Sequence, residues 1–469
     1  MASNLPPEFI STLSKMDHFD PEAFLSVHES GDQLVSVHMN PGKLLFSGQN
    51  WHDTITDPPF EISQKVPWAA DAYYLSSRPS FTHDPLFHAG CYYVQEASGM
   101  FLAFVMKQIV DLSQKIKVLD LCAAPGGKST LIQSLISPES LLVSNEVIKT
   151  RVPVLYQNIT KWGRANGIVS NNDPSHFKQI PGFFDIVVID APCSGSGLFR
   201  KDPEAAEGWS PDLVKLCSQR QQRILTDAWD CLKEEGFLIY STCSYSKEEN
   251  EDILDSVFSQ HQCESIVLSP DPEWNIVETI SDQAGAHGYR FYPDKIQGEG
   301  FFLSVIQKKQ ATSKQGTKLI PRHRSNQSSA RISKSAALQI KTWVEENSLQ
   351  YLAIGESIHA LSMEMLPDFE ILKGSLYLKK AGVRIGKEGE NEWIPDHEMA
   401  LADFLKDDIP VIRVEKTDAL RFLRGEPFDF EKKSRGWRLV SFLEQHLGWV
   451  KLLDNRMNNY YPKSWRIRH

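Results

Sequence analysis

Three apolar runs of strand length in this chain each lead into a loop that carries a cysteine. The runs are residues 116–121, 184–189 and 236–241. The loops that follow them carry Cys122, Cys193 and Cys243, respectively. In an open α/β sheet, ligands bind just beyond the carboxyl ends of parallel strands. The sequence therefore predicts that a glycine-rich loop and two thiol-bearing loops meet along one edge of a sheet.

Strand-like and helical segments alternate through the middle of the chain. A further strand is predicted over 141–145, and helices are predicted to begin near 129 and to cover 149–163, 210–232 and 247–259. Regular alternation of this kind is typical of a parallel, doubly wound sheet. We therefore expect an α/β fold with a Rossmann-like sheet.

The length of 469 residues is too great for a single core, so several domains are expected. The predicted regions are an N-terminal α+β region (1–100) that binds RNA and supports the motifs, a catalytic domain (101–308), a basic linker (309–340) and a C-terminal region (341–469). In the C-terminal region, 371–378 and 382–386 are short apolar pieces separated by turns. Their pattern predicts one or two small β-rich domains.

The formal net charge of −10 is unfavourable for binding RNA, because phosphate contacts come from Lys and Arg. The charge is unevenly distributed, however. Residues 308–341 contain nine Lys or Arg and no Asp or Glu. This run is either a solvated linker or a segment that follows an RNA backbone, and both interpretations stay open.

The cysteine pattern and the hydropathy of the sequence favour a reducing, cytoplasmic location. Seven scattered cysteines without a CxxC pair argue against a disulfide framework and against a zinc site, so no metal is expected. Residues 1–20 lack the layout of a secretory signal, and no apolar stretch approaches the ~18 residues that a membrane span needs. We expect a cytoplasmic protein with reduced thiols and no membrane partner.

Three short segments form an ordered set of motifs. They are Asp-Leu-Cys-Ala-Ala-Pro-Gly-Gly-Lys at 120–128, Asp-Ala-Pro-Cys-Ser-Gly at 190–195 and Ser-Thr-Cys-Ser at 241–244. This set resembles motifs I, IV and VI of the Nol1/Nop2/Sun family of RNA (cytosine-5) methyltransferases, over about residues 86–302. The tail, with Gly-Trp-Val-Lys at 448–451 and Asn-Tyr-Tyr-Pro at 459–462, resembles the bacterial 16S rRNA methyltransferase F branch. The resemblance implies S-adenosylmethionine as cofactor, RNA as partner and a PUA-like, RNA-binding C-terminal region.

The predicted cofactor site combines a loop with acidic residues at strand ends. The loop consists of Cys122, Ala123, Ala124, Pro125, Gly126, Gly127 and Lys128. Its glycines let the backbone turn sharply and approach a ligand closely. Glu146 lies 19 residues after Gly127, where an acid can accept hydrogen bonds from both ribose hydroxyls of a nucleoside. The family resemblance places Asp173 near the adenine amino group, and Asp190 is expected at the cofactor as well.

Three rival enzyme classes fail because their motifs are absent or incomplete in this sequence. Gly127-Lys128-Ser129 resembles the end of a phosphate-binding loop, but that motif requires glycine five positions before Gly127, where this chain has Cys122. The nicotinamide fingerprint G-x-G-x-x-G is absent too. Amino-group methyltransferases carry Asn or Asp before Pro-Pro-Tyr or Pro-Pro-Phe, with no thiol. Asp190-Ala191-Pro192-Cys193 departs from that pattern.

Methylation of cytosine at carbon 5 explains the thiols. A thiolate that adds to carbon 6 turns the ring into an enamine, so carbon 5 can then accept a methyl group. An acid near ring nitrogen 3 assists this addition, and Asp190 fits that role. The family resemblance makes Cys243 the nucleophile and gives Cys193 a part in product release, although the residues alone do not decide the order. The alternative interpretation is that each cysteine is only a small buried hydrophobic residue without a chemical role.

The target nucleotide and several weaker signals stay open. The branch resemblance favours a cytidine of 16S rRNA in the small ribosomal subunit; transfer RNA and a non-catalytic assembly role are the alternatives. A monomer is expected. Arg200 and Lys201 are either phosphate contacts or part of a solvated loop. The aromatic and basic tail around Trp449 and Tyr460 is either an RNA surface or core.

Overall fold

A computed structural model describes residues 5–43, 60–309, 332–345, 349–390, 392–430, 435–454 and 456–468. Most of the basic run that was predicted as a linker, 310–331, lies outside these residues.

Ten strands form the central sheet, and five of them are parallel. The strands, in chain order, are β5 (Lys117–Asp120), β6 (Leu141–Asn145), β7 (Gly167–Ser170), β8 (Phe184–Asp190), β9 (Leu232–Thr242), β10 (Cys263–Ser265), β11 (Val277–Ile280), β12 (His287–Phe291), β13 (Phe301–Lys308) and β16 (Leu378–Ala381). The order across the sheet is β11-β12-β13-β9-β8-β5-β6-β7-β16, with β10 paired to β13. The run β9-β8-β5-β6-β7 is parallel, and the other pairs are antiparallel. The predicted α/β fold is confirmed.

Alternating side chains along the central strands form two separate cores. Leu119 and Val187 face one core, while Val118 and Val188 face the other. The helices of this part of the chain are α4 (Leu102–Ile109), α5 (Gly127–Leu135), α6 (Val152–Trp162), α7 (Glu204–Glu207), α8 (Pro211–Ala228) and α9 (Glu251–Gln260). Helices α8 and α9 pack on the first face, and α4 and α5 pack on the second. Burial on both faces explains why the parallel strands are continuous apolar runs.

The N-terminal region forms its own antiparallel sheet beside the central one. Its elements are α1 (Pro7–Leu13), α2 (Pro21–Glu29), α3 (Pro85–Ala89), β1 (Ser36–Met39), β2 (Ile62–Lys65), β3 (Ala72–Leu75) and β4 (Tyr92–Val94). The strand order is β2-β3-β1-β4. The Thr130 hydroxyl in α5 lies 3.2 Å from Nε2 of His38 in β1, which joins this sheet to the helix that follows the glycine-rich loop.

Two further four-stranded sheets lie in the C-terminal region, as its apolar pieces predict. The elements are α10 (Lys334–Trp343), β14 (Leu349–Ile354), β15 (Ser357–Ser362), α11 (Leu366–Ser375), β17 (Val383–Glu388), β18 (Trp393–Pro395), α12 (His397–Ala400), β19 (Val411–Arg413), α13 (Lys416–Arg424), β20 (Gly436–Phe442), β21 (Gln445–Leu452) and β22 (Met457–Asn459). The sheets are ordered β14-β15-β17-β18 and β19-β20-β21-β22. Apolar residues of the second sheet and α13 share a core with the N-terminal sheet.

The strand-like reading of 371–378 is wrong for most of that segment. Residues 371–375 end helix α11, and only Leu378 begins a strand. That strand, β16, pairs antiparallel with β7 of the central sheet, with Ala381 opposite Ile168. The apolar residues of α11 pack into the core of the central sheet, and this burial overrides the short-range pattern. Elements beyond residue 340 therefore complete the central sheet, while the predicted domain boundaries stay predictions.

We expect Leu372→Ala to destabilise the protein by about 2–5 kcal/mol, because this side chain of α11 is fully buried against the central sheet. The matched control is Leu338→Ala in α10, where the side chain is 70% exposed and the change should stay within about 0.5 kcal/mol. Urea denaturation followed by fluorescence measures both. Equal losses in the two variants would contradict the packing of α11 on the sheet.

Candidate active site

The two motif cysteines lie side by side at the carboxyl ends of neighbouring strands. In the parallel pair β8–β9, Asp190 is in register with Ser241, so the loops after both strands begin at the same level. The Sγ atoms of Cys193 and Cys243 are 3.1 Å apart. The structure therefore brings together the two thiols that the sequence places at strand ends.

Backbone hydrogen bonds hold the two thiol loops against each other. The Ala191 amide donates to the Ser241 carbonyl at 2.8 Å, and the Gly197 amide donates to the Cys243 carbonyl at 2.8 Å. Gly197 has no room for a side chain, because a Cβ there would lie 2.3 Å from the carbonyl oxygen of Gly300. The close approach at Gly197 thus fixes the position of the Cys243 loop.

The environment of Cys193 favours the protonated thiol. The hydrogen bond with Cys243 has the largest effect, and burial and the nearby Glu249 carboxylate add to it; together they raise the pKa of Cys193 well above its ordinary value. At neutral pH, Cys193 is therefore expected to keep its proton.

Asp190 lies beside the thiols with both carboxylate oxygens partnered. One oxygen accepts a hydrogen bond from the Ser241 hydroxyl at 2.8 Å. The other lies 2.7 Å from Nζ of Lys128, whose ammonium also lies 5.0 Å from the centre of the Phe301 ring. The Asp190 side chain is 37% exposed, so it can still be reached from outside. Lys128 joins the glycine-rich loop to the thiol loops through this ion pair.

The glycine-rich loop connects β5 to the first turn of α5. Gly126 has φ +118°, which favours glycine, and α5 begins at the next residue. The Ala123 amide donates to the Asn145 carbonyl at 2.8 Å, which fixes the loop against the end of β6. The amino terminus of α5 therefore faces the same sheet edge as the thiols.

Acidic side chains surround this loop. Burial raises the pKa of Asp120 to about 7, while a hydrogen bond from Ser129 opposes the rise. Within the described part of the chain, Oδ1 of Asp120 is buried without a hydrogen-bond partner. Glu146 follows β6; it accepts a hydrogen bond from the Ile148 amide at 2.8 Å and lies 3.6 Å from Arg151. Burial raises the pKa of Cys122 as well, which favours its protonated thiol.

Asp173 lies after β7 on the same edge of the sheet but makes local contacts. Its side chain accepts hydrogen bonds from the amide and the hydroxyl of Ser175, at 3.1 and 2.7 Å. Arg223 lies 3.8 Å away. A role for Asp173 at an adenine ring stays a prediction.

Several weaker sequence signals belong to the core instead. Arg200 donates to Glu299 at 3.0 and 3.1 Å and its side chain is only 5% exposed, so neither a phosphate contact nor a solvated position fits this residue. A buried carboxylate neutralises its charge. Lys201 is exposed in a turn, as the solvated-loop alternative predicts. Trp449 and Tyr461 are buried, whereas Tyr460 is 40% exposed.

Sequence reasoning did not single out Glu249, which lies beneath the two thiols. This carboxylate is fully buried and accepts hydrogen bonds from the residues that follow each motif cysteine, Ser194 and Ser244. The only sequence signal is its place six residues after Cys243, in a run of charged residues.

The described residues contain neither a metal-binding group of three or more His, Cys, Asp or Glu side chains nor a helix with the length and hydropathy to cross a membrane.

Comparison of the sequence with models of known protein families identifies the class of enzyme. Residues 107–307 match the 16S rRNA methyltransferase RsmB/F model, 5–97 match the N-terminal domain of 16S rRNA methyltransferase RsmF, and 409–467 match the methyltransferase RsmF PUA domain. Together the matches cover about three quarters of the sequence. The chain belongs to the 16S rRNA methyltransferase RsmB/F family. It is therefore a methyltransferase, and the class expected from the three motifs is confirmed.

Individual relatives of the RsmB/F family extend over nearly the whole chain. The ribosomal RNA small subunit methyltransferase F of Shewanella loihica is 28% identical and covers 98% of this chain and 95% of its own length. That of Psychromonas ingrahamii is 29% identical, with 85% and 84% covered. Among solved structures, a methyltransferase homologue from Pyrococcus horikoshii is 26% identical, covers 65% of this chain and 100% of its own, and has a TM-score of 0.51. NSun6 from Pyrococcus horikoshii with SFG, 16% identical, has a TM-score of 0.55 over 66% of this chain and 100% of its own, which supports the fold.

We expect Gly197→Ala to destabilise this RsmB/F family member by about 1–3 kcal/mol, because the new methyl group would overlap the backbone oxygens of Gly300 and Cys243. Gly208→Ala is the control, since its nearest neighbour would lie 3.9 Å away. Thermal unfolding of both variants tests this, and an unchanged midpoint for Gly197→Ala would contradict the close approach.

Proposed function

We propose that this protein methylates carbon 5 of a cytidine in 16S rRNA, with S-adenosylmethionine as methyl donor and a covalent cysteine–cytosine intermediate. The observation that carries this proposal is the pair of thiols 3.1 Å apart, next to Asp190, at the edge of a methyltransferase sheet. One thiol can form the bond to the base, and the second is close enough to take part in breaking it.

The residues around the glycine-rich loop fit a cationic nucleoside cofactor. Asp120, Glu146 and Asp190 are near enough to affect one another electrostatically, and one buried oxygen of Asp120 has no partner among the described residues. An acidic environment suits the positively charged sulfonium of S-adenosylmethionine, which supplies an electrophilic methyl group. Glu146 and Asp173 are proposed to hold its ribose and adenine, and residues 122–128 its amino acid end.

In the proposed reaction Cys243 attacks carbon 6 of the cytosine as a thiolate. The new S–C bond makes carbon 5 nucleophilic, so carbon 5 can accept the methyl group. A base then takes the proton from carbon 5, and the electrons of that C–H bond form the C5–C6 double bond again. The S–C bond breaks with its electron pair on sulfur, which releases Cys243 as a thiolate and restores the aromatic ring.

Asp190 is proposed to engage ring nitrogen 3 of the base. Its orientation is fixed by the hydroxyl of Ser241 at 2.8 Å and by the ion pair with Lys128 at 2.7 Å. A positioned acid of this kind lowers the barrier to thiolate addition.

Cys193 is proposed to assist release rather than attack. Its raised pKa keeps it protonated, as suits a group that exchanges protons with the departing Cys243 sulfur.

The RNA substrate is proposed to bind through the C-terminal region. The PUA model matches residues 409–467, and the basic run 308–341 is a local excess of positive charge in a chain whose formal net charge is −10. We infer a monomer in the cytoplasm, where all seven free cysteines would stay reduced.

Glu146→Ala should weaken S-adenosylmethionine binding by about 10- to 100-fold, the effect of losing one or two hydrogen bonds to a charged group. Glu139→Ala, at the opposite end of β6, is exposed and should leave binding unchanged. Isothermal titration calorimetry measures both affinities. Equal affinity in the two variants would remove Glu146 from the cofactor site.

Substitution of each thiol tests the covalent mechanism. Cys243→Ala should abolish methylation and form no adduct, whereas Cys193→Ala should attack, methylate and then stall. The stalled complex would appear as a cofactor-dependent protein–RNA band in denaturing electrophoresis. Cys263→Ala, which lies in β10 away from the site, is the control and should behave as wild type.

The reverse pattern would exchange the roles of the two cysteines. Methylation that persists in both variants without any adduct would contradict covalent catalysis. Bisulfite sequencing of 16S rRNA, with and without the protein, locates the modified cytidine; an unmodified 16S rRNA would contradict the proposed substrate.

A further inference from the structure

One buried carboxylate is bonded to both thiol loops. Oε1 of Glu249 accepts a hydrogen bond from the Ser194 amide at 2.8 Å, and Oε2 accepts one from the Ser194 hydroxyl at 2.5 Å. Oε2 also accepts one from the Ser244 hydroxyl at 2.5 Å. Ser194 and Ser244 are the residues that directly follow Cys193 and Cys243. A single side chain therefore bridges the two loops at the position next to each thiol.

The surroundings of Glu249 fit an ionised carboxylate. A fourth hydrogen bond comes from the side-chain amide of Gln221 at 3.1 Å. All four contacts are made by donors, and an ionised carboxylate only accepts. In the described part of the chain, no Lys, Arg or His forms an ion pair with Glu249. Hydrogen bonds alone thus balance the negative charge of the fully buried Glu249 carboxylate. Two of the three residues that donate these bonds belong to the thiol loops.

The backbone around Glu249 is also fixed. The Tyr240 hydroxyl donates to the Glu249 carbonyl at 2.7 Å. The next residue, Asn250, donates to the Ser244 carbonyl at 2.8 Å and accepts from the Thr242 hydroxyl at 2.6 Å. The backbone of Glu249 is therefore held in place beneath β9. A side chain that sets the distance between two loops needs a fixed backbone of this kind.

We propose that Glu249 is a positioning residue of the two-thiol site: its carboxylate binds the loops of Cys193 and Cys243 together and sets the distance between their sulfur atoms. The proposal rests on the proposed function, because the reaction needs both thiols at the same base. Glu249 does not face the substrate; it acts through the serines beside each cysteine.

The charge of Glu249 has a second effect, on protonation. The hydrogen bond with Cys243 and burial dominate the raised pKa of Cys193, and the negative charge of Glu249 contributes in the same direction. Removing that charge should lower the pKa of Cys193, so its thiolate should appear at lower pH. A change in the pKa of Cys193 would distinguish a role of Glu249 at the thiols from a merely structural role.

The test compares Glu249→Gln with Glu248→Gln, the same change at the exposed neighbouring residue. The glutamine oxygen can still accept from the Ser194 amide, and the serine hydroxyls can rotate to accept from its amide group. Iodoacetamide labelling over a pH series, followed by mass spectrometry of the cysteine peptides, reports the titration of Cys193 without any RNA. Methyl transfer to 16S rRNA reports kcat and KM.

We expect Glu249→Gln to shift the midpoint of Cys193 labelling to lower pH by on the order of one unit. Its kcat should fall by about tenfold or more, because neutral hydrogen bonds hold the two loops less tightly than bonds to an ionised carboxylate, with the KM for S-adenosylmethionine changed less than about twofold. Ser244→Ala, which removes one bond of the bridge and keeps the charge, should lower kcat without moving the labelling midpoint. Glu248→Gln should match wild type in both measurements.

A Glu249→Gln variant that matches Glu248→Gln in both labelling and kcat would overturn the proposal. Thermal unfolding of each variant ensures that folded protein is compared. If the wild type itself transfers no methyl group to 16S rRNA, the proposed function fails; the labelling series would still show whether Glu249 controls Cys193.

Discussion

The parallel pairing of β8 with β9 is the constraint on which the site depends. Because Asp190 is in register with Ser241, the two loops leave the sheet at one level and their cysteines meet. A shift of one residue would turn every side chain of one strand to the opposite face and move apolar residues out of their cores. The buried side chains of both faces therefore hold the register that places the thiols.

The parts of the site that the sequence predicts are those attached to strand ends. Apolar runs locate β5, β8 and β9, and parallel strands present their following loops at one edge. The sequence does not predict a role for Glu249, and the reason is physical. It stands next to Glu248 in a charged run, and only tertiary structure decides that one is fully buried while the other faces solvent. The two partners of its carboxylate in the thiol loops come from segments about 50 residues apart.

Helix α11 is a second case in which tertiary packing, and not the local sequence, decides the structure. Its sequence offers a short apolar pattern that suits a strand as well as a helix, and its packing against the central sheet decides between them. The following strand β16 is short, and nothing local indicates that its partner is β7, about 200 residues earlier. The sequence does predict β-rich structure in the C-terminal region, because those sheets are built from neighbouring segments.

The pairing of β16 with β7 has a consequence for biosynthesis. The ribosome completes β13, the last strand on the opposite side of the sheet, about 70 residues before it reaches β16. During that interval β7 is an open edge, and the core that α11 will cover is exposed to water. A nascent chain at this stage carries all three cysteine-bearing motifs on an unfinished sheet, and unpaired strand edges of such a chain are prone to wrong pairing. Pairing of β16 with β7 and packing of α11 thus remove an open strand edge and an exposed core, two features that favour aggregation.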